Sequence, residues 1–382
     1  MKKRLISIIL IIVLSFNFSI AYGDIDISGK SYLLMDFDSG EIILAKNEHE
    51  KLPPASITKI MTLLIAMENI HNGSMTLDEK VIVSESASKV TGTSVYLDAG
   101  EVQSVENLLK AISIRSANDA SIALAVHISG SEEAFVNLMN ERASQLGMEN
   151  TNFVNSSGLP AENHYSSAYD ISIMSRELMK HEAIIPYLTT YMEDMEVGKS
   201  KTSIQSMVNT NRLIKEYQGA NGIKTGSTSE AKYCLSASAK RGDLQLIAIV
   251  MGVETGALRF SEAMKLLDYG FSNYESVTIG KKGDVLANIP IEKGEEDIIP
   301  LMLERDSHLL LIKGNKGNIE KEMEYPEFVS APIVQGQKLG EFIVKLDGKE
   351  VDRVNLIAKI QIDKGSYSTI LKNVWENFLF NK

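Results

Sequence analysis

Gly222-Ile223-Lys224-Thr225-Gly226, Tyr233 to Lys240 and Leu244 to Val253 are three runs of strand-like residues, the last two joined across Arg241-Gly242-Asp243. Apolar or alternating runs of this length, bounded by Gly and Asp, read as neighbouring antiparallel strands. Ala257 to Tyr274 then reads as a helix, with Phe260, Met264, Leu266, Leu267 and Phe271 as its apolar contacts. Working back, residues 31 to 46 form a second strand pair, Tyr32 to Phe37 and Glu41 to Leu44, around Asp38-Ser39-Gly40. A helix is expected from Pro53-Pro54 to about Ile70, and helical segments should fill most of 104 to 188, capped at Ser104 and Ser131 and stopped at Gly147. The fold class expected is α+β: an antiparallel sheet flanked by terminal helices, with a helical lobe inserted.

Beyond about Ser276 short alternating runs such as Leu309 to Ile312 and Phe342 to Val344 are separated by Gly-Lys, Lys-Gly and Asp-Gly turns. They predict a small all-β domain over 276–364. In the final segment, 365–382, Ile370, Leu371, Val374, Trp375, Phe378 and Leu379 share one face of a helical wheel. At the other end Lys2, Lys3 and Arg4 precede an apolar run, Leu5 to Phe16, and the small residues Ala21 and Gly23. Residues 1–23 therefore read as an export signal, since so short a run falls below the roughly 20 residues that cross a bilayer. The first folded domain is expected over 24–275.

The net charge of -11, with no basic tract, argues against a nucleic-acid partner, whose phosphates call for clustered Lys and Arg. Cys234 is the one cysteine, so the exported chain has no disulfide and its core must supply the stability. The strand-like run around it points to a small buried side chain, with no neighbouring His or base to activate the thiol. The six histidines fall in no metal-ligand spacing, so neither metal nor cofactor is expected. Gly198-Lys199-Ser200 lacks the earlier glycine of a nucleotide-binding loop, and no Gly-x-Ser-x-Gly elbow occurs.

Three short motifs carry chemistry. Ser56-Ile57-Thr58-Lys59 puts a hydroxyl and an amine on one helix face, near a helix start whose free N–H groups favour negative charge. The residues after Lys59, Ile60 to Met67, are almost wholly apolar. Burial disfavours an ammonium, so Lys59 has the makings of a base, although a structural ion pair would account for it equally. Ser86-Ala87-Ser88-Lys89 has the same spacing in a polar stretch, where its lysine stays solvated; it is a decoy. Ser116-Ala117-Asn118 breaks a helical region, either to aim a hydroxyl and a carboxamide into a cleft or to cap the next helix. Lys224-Thr225-Gly226 ends a strand, either as a plain turn or as an edge that pairs with an extended peptide and binds its carboxylate. Alone each is weak, but in this order they form the signature of serine penicillin-recognising enzymes.

With these motifs the chain resembles the D-alanyl-D-alanine carboxypeptidases, the low-molecular-weight penicillin-binding proteins of peptidase family S11. The resemblance extends through Ala111 to Ala120, Asn155-Ser156-Ser157-Gly158-Leu159, His164-Tyr165-Ser166 and Arg259-Phe260. It implies Ser56 as nucleophile, Lys59 as its base, Ser116 and Lys224 as proton carriers, and Asn118 as the holder of the acyl amide. Backbone N–H groups of Ser56 and Ser227 would form the oxyanion hole, and Thr225, Gly226 and Arg259 would line the substrate carboxylate site. Peptidoglycan stem peptides ending in D-Ala-D-Ala, β-lactams, and a membrane surface gripped by residues 366–382 are the implied partners. The implied location is outside the cytoplasmic membrane, at its outer face or in the wall.

Two positions depart from the family pattern. Ser227 stands where some members have His, and Lys232 where Gly is usual. A DD-endopeptidase, a β-lactamase or a non-catalytic β-lactam sensor would share these motifs. A β-lactamase would also need a group that activates water, and a sensor has no use for a matched nucleophile and base.

Overall fold

The computed structural model describes residues 25–315 and 317–366. The export signal and the terminal amphipathic segment expected above lie outside the described residues, apart from the first two positions of the latter.

Strand β1 (Ser31–Asp36) pairs antiparallel with β2 (Ile42–Lys46) and with a later strand. The chain then enters a single-turn 3₁₀ helix (Ala55–Thr58) and helix α1 (Lys59–His71). After a short strand β3 (Lys80–Ile82) and α2 (Glu85–Ser88), β4 (Val102–Ser104) leads into α3 (Val105–Lys110), a π-helical turn (Ala111–Arg115) and α4 (Asn118–Ser129). Helices α5 (Glu132–Gln145), α6 (Ala168–Lys180) and α7 (Ile185–Thr189) follow. A hairpin of β5 (Met192–Val197) and β6 (Ser203–Val208) and the short α8 (Leu213–Glu216) then precede β7 (Ala220–Thr228), β8 (Lys232–Arg241), β9 (Leu244–Val253) and α9 (Gly256–Asn273).

The main sheet has the order β2-β1-β9-β8-β7 and is antiparallel throughout. Its central strand β9 is buried at every position, which is why it reads as a continuous apolar run instead of an alternating one. Leu33, Met35, Ile247 and Ile249 face α1 and α6 in one core; Leu34, Leu246, Ala248 and Val250 face Leu266, Leu267 and Phe271 of α9 in the other. Each fully buried Leu or Ile contributes roughly 1.5–3 kcal/mol by leaving water.

One expectation needs correction, and two features went unread. Among the described residues α9 is the one helix at an end of this domain that packs on the sheet, residues 25–28 carrying no regular structure. The helical region is interrupted by an irregular stretch, 148–167, whose Asn, Ser and Gly residues compete with helix by bonding their own backbone. The β5–β6 hairpin went unread: its strands are largely exposed, so they show only weak apolar alternation.

The remaining chain is all-β. Strands β10 (Tyr274–Gly280) and β13 (Ser307–Ile312) pair with each other. Strands β11 (Val285–Glu292), β12 (Ile298–Leu303), β14 (Ile319–Glu324), β15 (Val329–Ser330), β16 (Lys338–Leu346) and β17 (Lys349–Ala358) form a sheet ordered β14-β16-β17-β12-β11-β15. Its core includes Ile299, Leu301, Phe342, Val344 and Leu356. Leu310 of β13 joins the α9 core, and Lys313 Nζ donates to the Phe271 carbonyl at 2.6 Å, tying this part to the main sheet. Among the described residues no helix is long and apolar enough to cross a membrane.

Candidate active site

The turn that carries Ser56 is held from both sides. Ala55 adopts φ +49°, a conformation disfavoured for a residue with a Cβ. Gly226 of β7 and Gly158 of the irregular stretch close in on it. A Cβ on Gly226 would come within 2.8 Å of the Pro54 carbonyl oxygen, and one on Gly158 within 1.9 Å of the Ala55 oxygen. Only glycine lets three backbones meet here, and at Gly158 φ is +82° as well.

Lys59 is fully buried one turn below Ser56. Its Nζ donates to Asn118 Oδ1 at 2.7 Å and to the Ser157 carbonyl at 2.5 Å, and lies 3.1 Å from Ser56 Oγ. A neutral amine has two N–H bonds and one lone pair. The two acceptors occupy both N–H bonds, so the lone pair is left for the serine hydroxyl. Burial lowers the Lys59 pKa to about 7, against the opposing charge of Asp119. Asn118 is oriented by its Nδ2, which donates to the Thr91 carbonyl at 2.8 Å. It does not cap α4: the N-cap is Ala117, and the preceding break is a π-turn ending in left-handed Ser116 at φ +64°. Ser116 is nearly buried at that break.

Lys224 is also buried, and its pKa is pushed well below the usual lysine range by burial, then by the charges of Lys59 and Arg259. Its Nζ donates to the Thr225 carbonyl at 3.0 Å. Thr225 Oγ1 bonds Thr210 Oγ1 at 2.7 Å. Arg259, in the first turn of α9, donates from Nη1 to the Gly226 carbonyl at 3.1 Å, while its buried Nε has no partner among the described residues. Ser227 is exposed near the end of β7, the outermost strand of the main sheet. All three motifs therefore meet at one place: the 3₁₀ turn Ala55–Thr58 with the start of α1, the break before α4, and the free edge of β7.

Residues 19–255 match the peptidase S11 family, described as D-alanyl-D-alanine carboxypeptidase. The chain belongs to that family. Residues 274–364 match the C-terminal domain of penicillin-binding protein 5. D-alanyl-D-alanine carboxypeptidase DacF of Bacillus subtilis is 40% identical over 98% of this chain and 100% of its own length. DacA of Escherichia coli is 31% identical over 89% of this chain and 85% of its own. The solved penicillin-binding protein 5 of Haemophilus influenzae is 31% identical, covers 89% of this chain and 99% of its own, and superposes with a TM-score of 0.71. The S11 peptidase thus has a penicillin-binding-protein-5-like mixed α/β fold with a C-terminal all-β domain.

Several site residues of this S11 peptidase were not singled out individually by sequence reasoning. Asn155 Oδ1 accepts from the N–H groups of Ser157, Gly158 and Leu159, and Glu132 Oε1 accepts from both the N–H and the hydroxyl of Ser156. The Ser156 carbonyl accepts from Thr62 and Ser121. This network aims the Ser157 carbonyl at Lys59. His164 Nδ1 accepts from the Val154 N–H, so Nε2 carries the proton and donates to Thr58 Oγ1 at 2.8 Å. Burial lowers the His164 pKa to about 4, which keeps it neutral. Asp119 accepts from the N–H groups of Val95 and Leu97, holding the 93–97 loop beside Asn118. The available signal was the run Asn155-Ser156-Ser157-Gly158, turn-forming residues between two helices.

The decoy behaves as its polar setting implies: Ser86 is exposed, and Lys89 pairs with Glu85 at 3.2 Å in solvent. Cys234 is buried, with its thiol pushed up to about 11 by burial. Among the described residues no cluster of His, Cys, Asp or Glu has the makings of a metal site.

Lys232 ends the β7–β8 turn with φ +56°, which is where glycine is favoured. Its ion pair with Glu254, 3.5 Å and largely exposed, returns little. Lys232→Gly is therefore expected to stabilise the fold by roughly 0.5–1 kcal/mol, the relieved left-handed strain being partly offset by a freer unfolded chain. A shift of the urea midpoint to higher concentration is the expected reading; a shift to lower concentration would show the lysine contact to matter more than the strain.

Proposed function

We propose that this chain is a serine-type D-alanyl-D-alanine carboxypeptidase that removes the terminal D-alanine from peptidoglycan stem pentapeptides and is acylated by β-lactams. The observation that carries the reading is the Lys59 amine, buried, 3.1 Å from Ser56 Oγ and held by two other acceptors, with burial lowering its pKa to about 7.

Ser56 Oγ attacks the carbonyl of the penultimate D-alanine as its proton passes to Lys59. Backbone N–H groups of Ser56 and Ser227 stabilise the tetrahedral oxyanion, and Asn118 holds the acyl amide. Collapse breaks the C–N bond; the departing D-alanine amine takes up a proton relayed through Lys224 and Ser116. Water, deprotonated by Lys59, then hydrolyses the ester and frees the serine. Thr225 and Arg259 bind the terminal carboxylate, and the unpartnered Arg259 Nε–H supports that role, since a buried guanidinium N–H without an acceptor is costly.

The finer organisation is part of the same reading. Residues 1–23 direct export and are then removed, the helices between β2 and β7 act as an inserted lobe, 276–364 forms the C-terminal β domain, and the amphipathic segment 366–382 lies on the membrane surface.

The test is to incubate the purified protein with diacetyl-Lys-D-Ala-D-Ala and follow free D-alanine, and in a separate reaction to follow covalent capture and release of labelled penicillin. Release of many equivalents of D-alanine per enzyme, with slow loss of bound penicillin, is expected. Rapid penicillin turnover would favour a β-lactamase, and penicillin capture without any D-alanine a sensor.

A further inference from the structure

Asp119 is a buried carboxylate, 2% exposed, beside a site whose proton transfers make no direct use of it. It is the second residue of α4, and backbone donors occupy both of its oxygens. Oδ1 accepts from the Ala120 N–H at 2.9 Å, and Oδ2 accepts from Val95 at 3.1 Å and Leu97 at 3.0 Å. Between the last two donors stands Tyr96, exposed and at φ +62°, a costly conformation for a bulky residue. The carboxylate therefore holds the loop in a shape that its own residues disfavour.

The same loop grips Asn118. The Thr93 carbonyl accepts from the Asn118 backbone N–H at 2.7 Å, and the Thr91 carbonyl accepts from Asn118 Nδ2 at 2.8 Å. Gly92 lies between them at φ +90°, where a Cβ would come within 2.8 Å of Asn118 Nδ2. The chain of bonds thus runs from the Asp119 carboxylate to the loop, from the loop to the Asn118 carboxamide, and from its Oδ1 to Lys59.

Asp119 acts on Lys59 through charge as well, opposing the fall that burial imposes on the lysine pKa. Of the other ionisable groups packed around the site, Lys224 of β7 and Arg259 of α9 are bases, and His164 beside Thr58 is neutral. Glu132 of α5 is bonded to Ser156.

We propose that Asp119 is a positioning residue for acylation: its carboxylate holds the 91–97 loop against Asn118 and supplies the counter-charge to the buried Lys59. The inference rests on the acyl-enzyme reading and adds to it a group that touches neither substrate nor Ser56.

The experiment follows penicillin acylation by stopped flow from about pH 5.5 to 8.5 in the wild type, Asp119→Asn and Gly92→Ala, with rates expressed per penicillin-capturing molecule. Loss of the negative charge disfavours the ammonium, so in Asp119→Asn the limb that reports Lys59 should move to lower pH by about one unit. A loss of fold alone would not move it. The plateau should also fall about tenfold, because asparagine offers one acceptor oxygen where the carboxylate has two, and because the amine has become a weaker base. Gly92→Ala, in an exposed part of the loop, keeps the charge and presses on Asn118; its plateau should fall while its limb stays in place. An Asp119→Asn limb that does not move, or a Gly92→Ala plateau equal to that of the wild type, would overturn the proposal. So would an Asp119→Asn chain that captures no penicillin at all, which would make the carboxylate a structural group only. A wild type that neither captures penicillin nor releases D-alanine would instead refute the acyl-enzyme reading itself, and this inference with it.

Discussion

Ser56→Ala is expected to abolish D-alanine release and covalent capture of penicillin together, with a loss of about 10⁴-fold or more, whereas Ser86→Ala leaves both unchanged. Both serines stand three positions before a lysine, so the motif alone does not separate them. Burial does. Lys59 has no exposure and two fixed acceptors, while the Lys89 side chain is 73% exposed and paired with Glu85. The solvated lysine remains an ammonium, with no lone pair to receive the serine proton. The Ser56→Ala change removes one oxygen from a turn held by Gly158, Gly226 and the Thr58–His164 bond, so the protein should still fold. Residual D-alanine release in Ser56→Ala, or its loss in Ser86→Ala, would reverse the assignment of the nucleophile.

The second large effect concerns the base. Burial pulls the Lys59 pKa down to about 7, and Asp119 limits the fall. Below that pH the amine is protonated and unable to accept a proton; above it the lone pair is available. The acylation rate should therefore climb about tenfold per unit as pH approaches 7 from below, then level off above it. Lys59→Arg keeps the positive charge and removes the base at every accessible pH, because a guanidinium does not deprotonate. It should slow penicillin acylation by about 10³-fold and erase the pH-dependent limb. Stopped-flow acylation from about pH 5.5 to 8.5 reads both. A wild-type rate that is flat across that range would mean that the amine is neutral throughout or that another group takes the proton.

Much of the main sheet could be read locally. Leu244 to Val253 announces itself because two-sided burial demands a nearly continuous apolar run, Tyr233 to Lys240 through the alternation of Leu235, Ala237 and Ala239 with Ser236 and Ser238, and the α9 helix because one-sided burial demands period 3.6. Ser104 and Ser131 were legible as caps because a cap acts within four residues. The 148–167 stretch was not, since its shape depends on partners far along the chain: Glu132 for Ser156, and Thr58 for His164. Lys232 looked like a change of side chain; its backbone angle makes it a conformational departure too.

The sequence by itself determined the kinds of element, the presence of a serine and lysine on one turn, and the three short motifs that an acyl-transfer site needs. Those are properties of neighbours within a few residues, set by period, propensity and side-chain chemistry. Only the tertiary structure decided which Ser-x-x-Lys is buried, and that Lys59 reaches Asn118 and the Ser157 carbonyl, 59 and 98 positions away. Desolvation and hydrogen bonding act through space, so a lysine's basicity belongs to the packed core around it and to nothing that its immediate neighbours in the chain can specify.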